Sequence, residues 1–325
     1  MEHPRYITVE VPAKINLQLA VGPVREDGYH EVVTVYLAVS IVDRVRASTA
    51  DAVTVEVVGP QADRVPADGS NLAVRAARLL AERAGVSYGA RLWIDKRIPV
   101  AGGMAGGSAD AAAALIACNH LWDLGLGKDE LVEIGAELGS DVPFSLLGGA
   151  AVGTGRGERL RPLDAERVFT WVLVPADGGL ATPAVYAECD RIREETGVVP
   201  APPRADEDLI AALAKGDAHA LGRALANDLE PAALRLNPSL ARTLATGREL
   251  GALGGLVSGS GPTCVFLAED SHHGAALSEA FTAAGHPAIH ARGPVHGPVV
   301  IDDGRYPGDD RWFGSMALAD SLGER

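Results

Sequence analysis

Apolar and polar residues alternate through Tyr6-Ile7-Thr8-Val9-Glu10-Val11, the two-residue period of a strand with one buried face. Ile15 to Val21 predicts a second strand. The β-branched runs Val33 to Val45 and Val53 to Val58, bounded by turn residues, predict two more. The period then lengthens. Leu72, Ala76, Leu79 and Leu80 share a helical face, with Ser70 expected as N-cap and Gly85 as the stop. Arg91 to Ile98 predicts a strand ended by Pro99. Ala109 to Trp122 and Asp129 to Leu138 predict helices, the first rich in alanine and suited to close packing. After Gly153–Gly157 the pattern resumes with an apolar strand, Val168 to Val174. Helical stretches over 209–225 and 240–250, a strand over 263–268 and a helix over 275–284 follow. Gly197 to Asp206, with three prolines, predicts an exposed loop. Strands come first and then mix with helices without regular βαβ alternation, which predicts an α+β protein rather than a doubly wound sheet.

Length and charge narrow the picture. The 325 residues suffice for two ordinary domains, expected at 1–157 and 158–301, with an acidic tail at 302–325. In that tail Asp302, Asp303, Asp309 and Asp310 lie among glycines, and Trp312 and Phe313 are the residues able to dock. Asp and Glu outnumber Lys and Arg, 43 to 29, for a formal net charge of −14. Such a surface repels nucleic acid and anionic membrane, so neither is an expected partner. Cys118, Cys189 and Cys264 are too few and too widely spaced for a disulfide framework or a metal knuckle, and they fit a reduced, cytoplasmic compartment. Met1-Glu2-His3-Pro4-Arg5 is not the start of a signal peptide. Gly251 to Ala268 is uncharged, but its glycines, serines and proline make it a poor membrane span.

Three stretches carry candidate chemistry. Pro99-Val100-Ala101-Gly102-Gly103-Met104-Ala105-Gly106-Gly107-Ser108-Ala109-Asp110 follows a strand and opens a helix. Backbone N–H groups there can converge on an anion, aided by the helix dipole. The plainer alternative is a turn before a helix capped by Ser108. The stretch is neither a P-loop nor a G-x-G-x-x-G fingerprint. Lys14, in Pro12-Ala13-Lys14-Ile15-Asn16-Leu17, sits between apolar residues, where it either opposes developing negative charge or stands solvated at a strand end. Asp141, in Gly139-Ser140-Asp141-Val142-Pro143-Phe144, is either a general base or the N-cap of a helix with Pro143 in its first turn. Asp27-Gly28-Tyr29-His30 offers an aromatic face and two donors. Val257-Ser258-Gly259-Ser260-Gly261-Pro262-Thr263 is a further glycine–serine turn before a strand.

Together these stretches resemble, in order and spacing up to about Val300, the three motifs of the GHMP kinases, the family of galactokinase, homoserine kinase and mevalonate kinase. The glycine loop is similar to the family's Pro-x-x-x-Gly-Leu-Gly-Ser-Ser, and Val257 to Thr263 to its third motif. The stretches around Lys14, Tyr29 and Asp141, with Asn71-Leu72 and Asn119-His120-Leu121-Trp122, resemble one branch of that family. The resemblance implies a two-domain α+β fold: an N-terminal domain like ribosomal protein S5 domain 2 and a ferredoxin-like C-terminal domain, with the active site between them. It implies transfer of phosphate from ATP, with Mg²⁺, to a hydroxyl of a cytidine diphosphate-linked methylerythritol, by a monomer or homodimer. Lys14 and Asp141 would flank the reacting hydroxyl. Gly102, Gly103, Gly106, Gly107 and Ser108 would cradle the phosphates, with Asn71 and Lys96 by the adenine. Asn16, Tyr29, His30, Thr182 and Pro183 would hold the cytidine end, and Tyr186 would stack on cytosine. Ala101 and Ala105 stand where that branch usually has glycine. The alternatives are a relative acting on mevalonate, homoserine or a sugar, and a nucleotide sensor without turnover. A sensor would not need both Lys14 and Asp141. A dinucleotide oxidoreductase is disfavoured by the missing fingerprint.

Overall fold

In the computed structural model, which describes residues 5–87, 89–176 and 178–302, two long strands form the spine of the first sheet. These are β1 (Tyr6–Val24) and β2 (His30–Ala50), paired antiparallel along most of their length. The sequence predicted two strands where β1 is one. Pro12 does not end it, because the register slips between Pro12 and Ala13 and again between Asn16 and Gln18. Such bulges bend a strand without breaking the sheet, and here they re-aim the residues around Lys14. Next come β3 (Thr54–Val58), α1 (Leu72–Ala84), β4 (Gly89–Asp95), α2 (Gly106–Leu121), α3 (Lys128–Leu138), α4 (Val142–Leu147), β5 (Ala150–Thr154) and β6 (Arg159–Leu163). One half of β2 pairs with β4 and the other with β5, so a single strand ties both ends of the sheet together.

Two helix starts differ from expectation. Asn71, not Ser70, caps α1: its Oδ1 accepts from the Ala73 N–H at 2.9 Å, while Ser70 bonds Asp68. Helix α2 begins at Gly106, so Ser108 lies inside its first turn, and the cap position is held by Ala105 at φ 56°. The alanine-rich face does what its composition predicts. Ala109, Ala111 to Leu115, Ala117 and Cys118 are all buried, and α2 packs against α1, β1 and β2.

The second half of the chain supplies β7 (Phe169–Val174), α5 (Thr182–Thr196), α6 (Glu207–Lys215), α7 (Ala218–Ala224), β8 (Ala226–Asn227), α8 (Glu230–Leu236), α9 (Ser239–Glu249), β9 (Gly254–Val257), β10 (Cys264–Ala268), α10 (Ser271–Ala283), β11 (Ile289–Gly293) and β12 (Val299–Asp302). Four of these strands form an antiparallel sheet in the order β11-β7-β10-β9. That is the ferredoxin-like arrangement of two βαβ-type halves. Alternate residues divide its faces. Val172, Val174 and Phe266 pack with Leu244, Leu277 and Phe281, while Trp171, Leu173 and Val265 belong to the core shared with the first sheet. β6 pairs with β5, and β8 and β12 pair with β1, so three segments beyond residue 157 join the first sheet. Asp302, expected in the tail, closes β12; residues 303–325 lie outside the described residues. Among the described residues no helix is long and apolar enough to cross a membrane.

Candidate active site

Lys14 and Asn16 are two apart on β1 and so face the same side. The Lys14 ammonium donates to Asn16 Oδ1 at 2.6 Å; Asn16 Nδ2 donates to Thr34 Oγ1 at 2.8 Å; and the Thr34 hydroxyl donates to the Gln18 carbonyl at 2.7 Å. The Asn16 backbone N–H reaches Ser258 Oγ at 3.1 Å, joining β1 to the glycine–serine turn after β9. Asp141 occupies the N-cap position of α4 with Pro143 in the first turn, yet its carboxylate makes no capping bond. Instead Oδ1 accepts from the Tyr36 hydroxyl at 3.0 Å, and Oδ2 lies 3.8 Å from Lys14 Nζ. The side chains of Lys14 and Asp141 are 7% and 30% exposed. Burial lowers the Lys14 amine below its ordinary value, and the Asp141 charge opposes that shift. Both groups line a cavity of about 240 Å³ whose walls include Gly103, Ala105, Thr182, Tyr186 and Ser260.

The glycine loop interlocks with the turn after β9. A Cβ on Gly103 would stand 2.6 Å from the Ser258 carbonyl oxygen, so only glycine fits there. Gly107, at the opening of α2, has nothing within 4 Å of where its Cβ would be, leaving room for an anion over the helix terminus. Gly106 is pressed from below by Lys96, whose Nζ would lie 2.7 Å from an added Cβ. The Lys96 ammonium is sealed under the loop, paired with Asp43 and, at 2.9 Å, with Asp110. Burial lowers it, but Asp110 and Asp43 outweigh that and leave it above its ordinary value. Asp43 also accepts from the Arg97 and Ile98 N–H groups. Burial pushes the Asp110 carboxyl well above the usual range, and its Oδ1 has no hydrogen-bond partner.

A second cavity of about 270 Å³ opens on the far side of the loop, lined by Lys96, Pro99, Ala101, Gly102, Gln61 and Arg64 among others. Asn71 lines neither cavity: its side chain is used on Ala73 N–H and the Pro66 carbonyl. At the other end of the first cavity the rings of His30 and Tyr186 lie 5.0 Å apart, and His30 Nε2 is 2.9 Å from Asp190 Oδ1. Burial, then the Asp141 charge, pushes the Tyr186 phenol up to about 12. Thr182 shares a hydrogen bond with Ser260 at 2.9 Å, while Pro183 lies in the first turn of α5, outside the cavity wall. Tyr29 is exposed and stands 5.1 Å from the Arg156 guanidinium.

Sequence reasoning missed four contributors: Tyr36; Arg156; Asp43; and Asn227, whose Nδ2 donates to the Val257 and Gly259 carbonyls at 2.6 and 2.7 Å. Only Arg156 carried a usable signal, as a cation between glycines in Gly155-Arg156-Gly157.

Comparison with known proteins extends the picture. Residues 71–149 match the GHMP kinases N terminal domain and residues 209–287 the GHMP kinases C terminal domain. The chain is 55% identical over 297 residues to a 4-diphosphocytidyl-2-C-methyl-D-erythritol kinase of Streptomyces avermitilis, covering 91% of this chain and 99% of the relative. A crystal structure of 4-(cytidine 5'-diphospho)-2C-methyl-D-erythritol kinase superposes with a TM-score of 0.73 at 35% identity, covering 89% of this chain and 99% of that one. A homoserine kinase from Cytophaga hutchinsonii superposes with a TM-score of 0.70 at 20% identity, over 91% and 97% of the two chains, a likeness of fold alone.

Proposed function

The chain belongs to the GHMP kinase family of ATP-dependent small-molecule kinases, and we propose that it phosphorylates the 2-hydroxyl of 4-diphosphocytidyl-2-C-methyl-D-erythritol on the non-mevalonate route to isoprenoid precursors. The observation that carries this reading is the convergence of Lys14 and Asp141 on one cavity whose walls also include Gly103 of the glycine loop and Tyr186. The cavity's charge suits the substrate. Among the described residues its wall holds two cations, Lys14 and Arg156, against the single carboxylate of Asp141, and the substrate carries a diphosphate. His30 and Tyr186 supply the ring surface for cytosine, and Tyr29, Asn16, Thr182 and Pro183 complete that end. The second cavity, beside Lys96 and Gly102, takes the adenine side of ATP. Lys96, its ammonium engaged by Asp43 and Asp110, lines that cavity and so lies by the adenine while supporting the phosphate loop, and Asn71, assigned to the same side of the nucleotide, fixes the start of α1.

In this mechanism Asp141 accepts the proton of the attacking hydroxyl. Lys14 opposes the negative charge on the carboxylate and the hydroxyl oxygen. Backbone N–H groups of Gly102, Gly103, Gly106 and Gly107, with the Ser108 hydroxyl, bind the triphosphate over the terminus of α2. Positioning and charge stabilisation of this kind are what phosphoryl transfer chiefly requires. Ser108, in the first turn of α2, offers a hard oxygen, and Mg²⁺, an ion that keeps several waters and binds few protein atoms, would be held by it together with the phosphates. When bound, it neutralises charge on the transferred group. A cytoplasmic location goes with this reading, supported by three buried free thiols.

The test is ADP release by purified protein with ATP and Mg²⁺, with and without this substrate, beside Asp141→Asn. Substrate-dependent release that collapses in the variant supports both assignment and site. A folded, ATP-binding protein with no turnover on this substrate overturns it, and mevalonate, homoserine and sugars become the acceptors to try.

A further inference from the structure

We propose that the Tyr36 hydroxyl is a positioning group that decides which oxygen of Asp141 takes the proton: by donating to Oδ1, it reserves Oδ2, the oxygen nearer Lys14, for the substrate. The inference rests on the reading of Asp141 as the base and adds to it the role of a residue on a different strand.

Four observations converge on that hydroxyl. It lies 3.0 Å from Asp141 Oδ1, while Oδ2 faces Lys14 Nζ at 3.8 Å. A carboxylate can only accept, so the phenol donates. The Tyr36 ring is 3% exposed and stacks on Phe144 at 4.7 Å, and Phe144 belongs to the same short helix α4 that Asp141 opens. Ring and carboxylate are thereby held on one rigid unit. The end of β5 and the turn after it wall the side chain in: a Cβ on Gly157 would stand 2.4 Å from the phenol oxygen, and one on Gly153 would stand 2.7 Å from the ring. That turn is itself pinned by Gly157 N–H to the Thr154 carbonyl at 3.0 Å and by Val32 N–H to the Gly155 carbonyl at 2.8 Å. Finally, Lys14 Nζ stands 5.6 Å from the centre of the same ring, so one side chain spaces both members of the catalytic pair. Burial, then the charge of Asp141, raises the phenol well above its ordinary value, which keeps the proton on Tyr36.

The step then has a defined geometry. The substrate O–H bond breaks and its proton passes to Oδ2. The freed oxygen bonds to the γ-phosphorus, and the bond from that phosphorus to the bridging oxygen breaks, its electron pair leaving on ADP. A carboxylate free to rotate would present either oxygen, and only part of its population would face the hydroxyl beside Lys14.

Tyr36→Phe removes one hydroxyl and keeps the ring. Steady-state kinetics are expected to show kcat lower by about three- to thirty-fold, the loss of part of one charged hydrogen bond. KM for both substrates stays within about twofold, and the melting temperature within about 3 °C. Added to Asp141→Asn, the change is expected to cost nothing further, because residues that act through one another are not additive. An unchanged kcat in Tyr36→Phe overturns the inference, and so does an equal loss in the Asp141→Asn background, which would mark a structural contribution. An error in the substrate assignment shows differently, as a wild type inactive on the cytidine compound; the same comparison then runs on whichever alcohol the wild type phosphorylates.

Discussion

Among the described residues two lysines are buried, some eighty positions apart, and they live in opposite electrostatic worlds. Lys96 is held by two carboxylates at contact distance, both almost fully buried. Lys14 has one carboxylate, at 3.8 Å and partly open to solvent, and its nearest partner is the neutral amide of Asn16. The surroundings leave the first amine raised and the second lowered. A fully compensated charge holds structure together. A charge left under-compensated at a cavity wall has capacity for an incoming anion, as expected of a group that must meet a phosphate.

The comparison breaks most sharply through the carboxylate partners. Asp141→Asn, which leaves Lys14 without its anion, is expected to lower the rate of ADP release by about 10²–10⁴-fold with little change in melting. Lys96→Met should do the reverse in kind. It leaves the buried carboxyls of Asp43 and Asp110 without their cation, so urea unfolding is expected to show a loss of about 3–5 kcal/mol. The two lysines also differ in sign with alkali. The stability contributed by Lys96, raised above 10.5, is present below that pH and is lost as pH rises through its folded value. The burial penalty on Lys14, lowered from 10.5, eases as pH climbs from its folded value to 10.5, because the unfolded chain then binds more protons. Denaturant midpoints should therefore show wild type gaining on Lys14→Met as pH rises towards 10.5, and wild type losing its advantage over Lys96→Met only above 10.5; changes of the same sign in the same window would erase the distinction. Smaller again, Tyr186→Ala should weaken binding of cytidine diphosphate by about 1–3 kcal/mol in calorimetry while leaving ATP binding intact. The smallest effect concerns the loop between the lysines. Ala105 holds φ 56° at the mouth of α2. Ala105→Gly should relieve that strain and raise unfolding stability by about 0.5–1 kcal/mol net of the entropy of glycine.

Much of this was legible in the chain. The alternation in Tyr6 to Val11, the alanine face of α2 and the glycine stop at Gly85 are local signals, and each element appears close to where its pattern lies. The motif around Lys14 and that around Asp141 meet in space as the resemblance implied. What stayed hidden was long-range. Tyr36 sits in a β-branched run that reads as core, and its bond to Asp141 spans 105 positions with no local trace. Asp43 lies in the same run and is fully buried, a polar residue whose partners come from a different strand end. Helix α5 escaped because its buried stripe is thin: Val185, Glu188 and Cys189, one of them charged. Ser70 and Asn71 are both good caps, and the choice between them turned on a single bond to Ala73.

The return of β12 to β1 has a consequence for how the protein is made. β1 leaves the ribosome first and β12 last among the described strands, and Thr8, Val9 and Glu10 find their partners in Asp302, Val300 and Val299. Until β12 is out, then, the Thr8 to Glu10 stretch of the strand that carries Lys14 waits with one margin unzipped. An open margin of this kind is a template for the wrong neighbour, whether another nascent chain or a misregistered segment of its own. The last stitch of the sheet is sewn only when Val299 to Asp302 is out, and a ribosome that stalls before Val299 leaves behind a molecule with the Lys14 strand unhemmed.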